Sequence, residues 1–170
     1  MNKVLDWGER LFLVLLATPF LVAFAHSLPS HPYYICVMIA ELLSVFFVLI
    51  RRAGMMAASP YAIAIAFIGT AAPLLARPSG GLSLVPELVA SAMMVFGLLL
   101  SISAKLALNR SFGLIAANGG VKIGGPYLLV RHPMYLGYLI TQLGLLLSNF
   151  SIYLVAVYLA AWTAQILRVC

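Results

Sequence analysis

The chemistry in this sequence gathers in one stretch, Gly124-Gly125-Pro126-Tyr127-Leu128-Leu129-Val130-Arg131-His132-Pro133-Met134-Tyr135-Leu136-Gly137. His132 precedes a proline and is therefore biased toward extended backbone. Pro133 suits the first position of a helix, where a missing N–H costs nothing. A helix opening there points its free amides at whatever lies before it, and amides with a helix dipole attract anions. Arg131 adds a planar guanidinium fork matched to a carboxylate. Tyr127, Tyr135 and Tyr138 place aromatic faces nearby, suited to a cationic group or an adenine ring. Gly137 lets a ligand or a neighbouring helix come close to the backbone. Taken one at a time, Arg131 and His132 also suit anchors at a membrane surface, and Tyr135 an interfacial aromatic. The ordered combination is what points to a binding site.

These residues must be positioned by strongly apolar elements. Runs able to span roughly 30 Å of hydrocarbon occur at Leu11–His26, Tyr33–Ile50, Pro60–Leu75, Pro86–Leu106, Pro133–Ser148 and Phe150–Val169. They are continuous rather than alternating, which argues for helices and against barrel strands. Turn formers separate them: Ser27-Leu28-Pro29-Ser30, Arg77-Pro78-Ser79-Gly80-Gly81 and Ser148-Asn149-Phe150-Ser151. The expected fold is therefore all-α, a polytopic transmembrane bundle of about six spans. With the N-terminus inside, Lys3, Arg10, Arg51, Arg52, Lys105, Arg110, Lys122, Arg131 and Arg168 share the inner side, and Arg77 alone falls outside. That segregation predicts both termini in the cytosol. The first run also fits a secretory leader ending near Ala23-Phe24-Ala25, although Asp6 and Glu9 stand where such a leader is basic.

Composition excludes the main alternatives. Of 170 residues, 64% are hydrophobic and 8% charged, against about 25% charged in a soluble domain. The net charge of +6 is spread in small groups between apolar runs, the pattern of membrane topology and not of nucleic-acid binding. Cys36 and Cys170 form neither a disulfide framework nor a metal-ligand spacing, and no metal is expected. Residues 1–106 hold four spans; residues 107–170 hold a long inner loop and a last helical pair, all within one membrane domain. The loop, rich in glycine (Gly113, Gly119, Gly120, Gly124, Gly125), is longer than a plain linker and is the expected seat of function.

The ordered Gly125, Tyr127, Arg131, His132, Pro133, Tyr135 and Gly137 resemble the hallmark of the isoprenylcysteine carboxyl methyltransferase and phospholipid methyltransferase superfamily. Asn109-Arg110-Ser111-Phe112-Gly113 is similar to the basic-aromatic segment that precedes the loop in that family. The resemblance runs from about Arg110 to Arg168. It implies S-adenosylmethionine bound by those seven residues at the cytosolic face, a lipid or lipid-modified acceptor entering from the bilayer, and a catalytic role for Arg110. The acceptor would be a prenylcysteine-like carboxylate or a phospholipid amine. An amine must lose a proton and would want a base such as Glu41 or His132. Glu41 is the ionisable residue inside the second run, a functional candidate by its position or a protonated, hydrogen-bonded one. Family members continue past the last helix into an acidic pair and a basic-aromatic tail. This sequence reaches Arg168-Val169-Cys170 at that point, so weak cofactor binding is expected of it. A non-catalytic scaffold, a sterol-reductase-like enzyme and a small transporter are the alternatives; no Gly-x-Gly-x-x-Gly unit supports a nicotinamide cofactor.

Small residues recur at helical spacing in the last two runs: Gly137, Thr141, Gly144 and Ser148, then Ala156, Ala160 and Ala164. Such stripes let membrane helices approach closely, so the two runs are expected to close on each other as a tight hairpin. Gln142, on the fifth run, is placed to bond across helices.

Overall fold

The computed structural model describes residues 3–50, 60–78, 80–108 and 125–169. Among these, every extended element is helical: α1 (Lys3–Ser27), α2 (Ile35–Ile50), α3 (Pro60–Ala71), α4 (Glu87–Leu108), α5 (Pro133–Ser148) and α6 (Ile152–Val169). Single 3₁₀ turns at Pro32–Tyr34, Ala72–Leu75 and Gly125–Leu128 lead into α2, extend α3 and precede α5. Proline sets several of these boundaries. Pro60 and Pro133 open their helices, where no N–H is needed. Pro73 has no N–H for the helical ladder, and the α3 backbone tightens into 3₁₀ form around it.

Two described helices, Arg10–Ser27 and Glu87–Ala107, are long and apolar enough to cross a membrane; Pro32–Phe46, Pro133–Ser148 and Ile152–Leu167 are apolar but shorter. Large apolar side chains point outward on them, with Leu15 62%, Leu88 79% and Ile152 81% exposed. The inward faces form one cluster running through Leu13, Phe20 and Phe24 of α1, Val37 of α2, Met94 of α4, Leu145 of α5 and Leu154 of α6.

The last two helices do not close on each other as the sequence suggests. A short turn at Asn149–Ser151 joins them, but the small-residue stripe of α5 lies against α4, which is its principal partner. A Cβ added at Gly137 would fall 2.7 Å from both Gly97 O and Ser101 N of α4, and one at Gly144 would fall 2.9 Å from Met94 Cγ and 3.0 Å from Ala90 O. Gly97 mirrors this, since its own Cβ would overlap the Gly137 carbonyl and Thr141. The hydroxyls buried here turn back on their own helices, Thr141 Oγ1 to Gly137 O at 3.0 Å and Ser101 Oγ to Leu98 O at 2.9 Å. Each is therefore satisfied without demanding a partner from the facing helix. α6 packs instead on α3, where Gly69 faces Ala164 and Gln165. A stripe of small residues fixes how near a partner comes and leaves open which helix that partner is.

At the end of the bundle opposite Pro133, the segment between α3 and α4 fastens the α5–α6 turn. Phe150 N–H donates to Leu82 O at 2.9 Å, Leu84 N–H donates to Leu147 O at 2.8 Å, and Gly81 N–H donates to the buried Asn149 side chain. A side chain at Gly81 would collide with the Phe150 backbone. Arg77 folds back to donate to the Leu74 and Ala76 carbonyls at 2.8 and 2.7 Å, so its charge closes the 3₁₀ turn after α3.

Candidate functional site

The approach to α5 is built as a turn followed by a helix opening. Gly125 has φ +64°, a left-handed conformation that glycine adopts without steric cost. It starts the 3₁₀ turn Gly125–Leu128, which packs against the end of α4. Tyr127 is half-buried there. Burial pushes its phenol above the ordinary range, and the neighbouring Tyr135 adds to the shift. Leu128, Leu129 and Val130 are exposed, as are Arg131 and His132. His132 caps α5 in extended backbone, φ −131°, with its side chain making no capping hydrogen bond. Its carbonyl accepts the first helical bond, from Leu136 N–H at 3.1 Å. The imidazole instead lies beside the Tyr135 ring, with centroids 5.9 Å apart and planes tilted by 32°.

The structure thus brings together Tyr127, Tyr135 and His132 around the start of α5, with Arg131 exposed at the same end. Pro133 is buried as the first helical residue. Gly137 is also buried, but α4 fills the space beside it, so of the two close approaches open to this glycine the neighbouring helix takes it. Arg110, with most of the loop before Gly125, lies outside the described residues. What this end offers chemically is an exposed guanidinium, a helix start that the His132 side chain does not cap, and aromatic faces. Such a set suits an anion joined to a flat or cationic group.

Glu41 belongs to a second group of polar residues, inside the bundle. It is buried at 5% exposure and its Oε1 accepts from Gln142 Nε2 at 3.0 Å. Gln142 Oε1 in turn accepts from Trp162 Nε1 at 2.8 Å, so one amide bridges α2, α5 and α6. Trp162 stacks on Tyr158, ring centroids 6.0 Å apart, and Tyr158 is itself fully buried. One turn along α2, Ser44 Oγ lies 2.8 Å from Tyr138 Oη. The Lys105 ammonium of α4 sits over the Tyr138 ring, 4.8 Å from its centroid. Gln142 follows Pro133 by nine residues, or about 13 Å of helix rise. Glu41 is therefore not brought to the exposed residues at the opening of α5.

Sequence reasoning placed Gln142 across helices and singled out Glu41, but missed Lys105, Tyr138, Ser44, Trp162 and Tyr158 as one cluster. Lys105 carried a readable signal, since it falls within the apolar run Pro86–Leu106 rather than beyond it. Among the described residues there is no group of His, Cys, Asp or Glu side chains able to hold a metal ion. Comparison with protein-family models, with curated proteins and with solved structures yields no match to this chain.

Proposed function

We propose that this chain is a polytopic membrane methyltransferase, transferring a methyl group from S-adenosylmethionine to a lipid or lipid-modified acceptor at the cytosolic face. The observation that carries the reading is the arrangement at α5. Tyr127, His132 and Tyr135 gather where a left-handed glycine turn and a helix start that the His132 side chain leaves uncapped adjoin an exposed Arg131. The outward-facing apolar side chains of α1, α4 and α6 support placement in a bilayer. Six spans with both termini in the cytosol follow from the distribution of Lys and Arg.

S-adenosylmethionine supplies an already activated methyl group. What remains for the protein is binding, alignment and exclusion of water. Arg131 and the first amides of α5 hold the donor carboxylate. Tyr127, Tyr135 and His132 present faces to its adenine or its positive sulfur. Alignment of donor and acceptor is worth about 7–11 kcal/mol in favourable cases. A carboxylate acceptor needs no base, whereas an amine acceptor needs one, and His132 stands exposed at the same end.

Calorimetry with S-adenosylmethionine on the purified protein tests the reading. Arg131→Ala should weaken binding about tenfold or more, because a charge-assisted hydrogen bond contributes roughly 1.5–3 kcal/mol. Lys122→Ala, in the same loop outside the motif, should change it little. Equal losses from both substitutions would reduce the effect to general electrostatics and remove Arg131 from the site.

A further inference from the structure

We propose that Glu41 is an exchangeable proton-binding site in the interior of the bundle, reached from the Pro133 end along Tyr138 and Ser44, with Lys105 as its counter-charge. Such a site is independent of the donor assigned to the α5 motif. A carboxyl group among apolar helices is costly unless it is paired or protonated, and such residues mark proton and ion pathways. Here three features go beyond what holding helices together would require.

The first is the column itself. Lys105 lies one turn from the end of α4, and Tyr138 just over one turn into α5, so both stand near the Pro133 end of the bundle. Ser44 Oγ donates to Ala40 O at 2.9 Å and lies 2.8 Å from Tyr138 Oη, so at rest Tyr138 donates to Ser44, and a turn of the Ser44 hydroxyl away from Ala40 reverses the pair. Ser44 and Glu41 are three residues apart on α2, on one face and about 5–6 Å apart at Cβ. The route we infer requires one water molecule between them. Exchange then needs no bond other than O–H to change. With the Ser44 hydroxyl turned from Ala40 to Tyr138, Glu41 passes its proton to the bridging water, the water passes one to Ser44, Ser44 one to Tyr138, and the buried Tyr138 releases one toward the Pro133 end. Every hydroxyl is restored, and the Glu41 carboxylate remains.

The second feature is the counter-charge. Lys105 is 1% exposed and sits over the ring of Tyr138, whose hydroxyl meets Ser44 one turn from Glu41, so a positive group stands in the same buried cluster as the carboxylate. The third is Tyr158. Its hydroxyl is buried and has no hydrogen-bond partner among the described residues, and its ring stacks on Trp162, which bonds the same Gln142 that holds Glu41. A buried polar hydroxyl left in this way is costly, and a water beside Glu41 would satisfy it. Along the groove between α1 and α2, α1 presents Val14, Ala17, Thr18 and Leu21, with Thr18 bonded to its own helix, and the charged Arg10 stands one turn before Val14. Glu41 is thus faced by Lys105 from α4, Gln142 and, through Ser44, Tyr138 from α5, and Tyr158 from α6.

Infrared difference spectroscopy on the protein reconstituted in phosphatidylcholine vesicles tests the proposal. Four carboxyl side chains, Asp6, Glu9, Glu41 and Glu87, make assignment by one substitution practical. A protonated-carboxyl band that disappears as pH rises from mildly acidic to mildly alkaline should be present in the wild type and absent from Glu41→Gln. Lys105→Met should move that disappearance to higher pH, because loss of a positive neighbour disfavours the carboxylate. Tyr138→Phe should keep the band but slow its response to a pH jump about tenfold or more. A band that ignores pH, or one whose response is as fast in Tyr138→Phe as in the wild type, would overturn the proposal. Should Glu41→Gln fail to fold, the Lys105→Met displacement carries the test alone, and an unmoved band there would equally overturn it.

Discussion

Single residues divide sharply into those whose place was legible and those whose role was not. His132-Pro133 announced a helix opening, and α5 does begin at Pro133, because a proline and the residue before it constrain the backbone directly. Gly125 is explained by its positive φ. Gly137 was readable as a point of close approach but not as an approach by α4, since nothing in a glycine records its neighbour. The packing makes a specific demand: Gly137→Ala puts a methyl 2.7 Å from α4 backbone atoms that cannot rotate away. It should destabilise the protein by about 1–3 kcal/mol, the usual cost of overpacking. Gly8→Ala, with open space around it, should leave stability unchanged or slightly raised. Denaturant titration in detergent micelles, followed by helical circular dichroism, compares the two; equal effects would mean that α4 and α5 separate easily at Gly137.

Between elements, the hydrogen bonds that matter cross three helices through one amide. Gln142 donates to Glu41 and accepts from Trp162, so replacing it strands both partners. Gln142→Leu should therefore cost about 1–3 kcal/mol, the penalty for buried groups left unsatisfied. A double-mutant cycle with Trp162→Phe should be non-additive, with a coupling of about 0.6–1.7 kcal/mol in the range found between membrane helices. Additivity in the same denaturant assay would show that Trp162 and Gln142 do not depend on each other. The individual helices were legible from their apolar runs and punctuation, and the run Pro133–Ser148 matches α5 at both ends. The partner choice, α5 with α4 and α6 with α3, was not, because it depends on which faces are simultaneously small across two helices far apart in sequence.

At the scale of the whole molecule, the reading of a six-span bundle comes from counting charges, which no local contact can replace. It predicts that tags at the two termini report from the cytosol and that one inserted at Ser148–Ser151 reports from the opposite side. Accessibility of a terminal tag from outside intact cells would break the assignment. The proposed proton site adds a constraint, since Lys105, Tyr138 and Ser44 must then lead toward the same side as the α5 opening.

The pairing of the last four helices has a consequence for how the chain comes together. α4 with α5 and α3 with α6 are nested like brackets: the inner pair is joined by the loop through Gly125, and the outer pair encloses it. Closing the inner bracket first is the shorter loop closure, and it carries α6, joined to α5 by a short turn, toward α3. The last-made contact should also be the first to open, as local openings begin where cooperative units are least secured. Amide hydrogen exchange should then show α6 losing protection together with the face of α3 around Gly69, while α4 and α5 stay protected along the Gly97–Gly137 seam. Exchange that released α5 before α6 would mean the brackets close in the opposite order. The chain would on this account carry its own sequence of assembly, with the outer pair, closed after the inner one, also the more provisionally held.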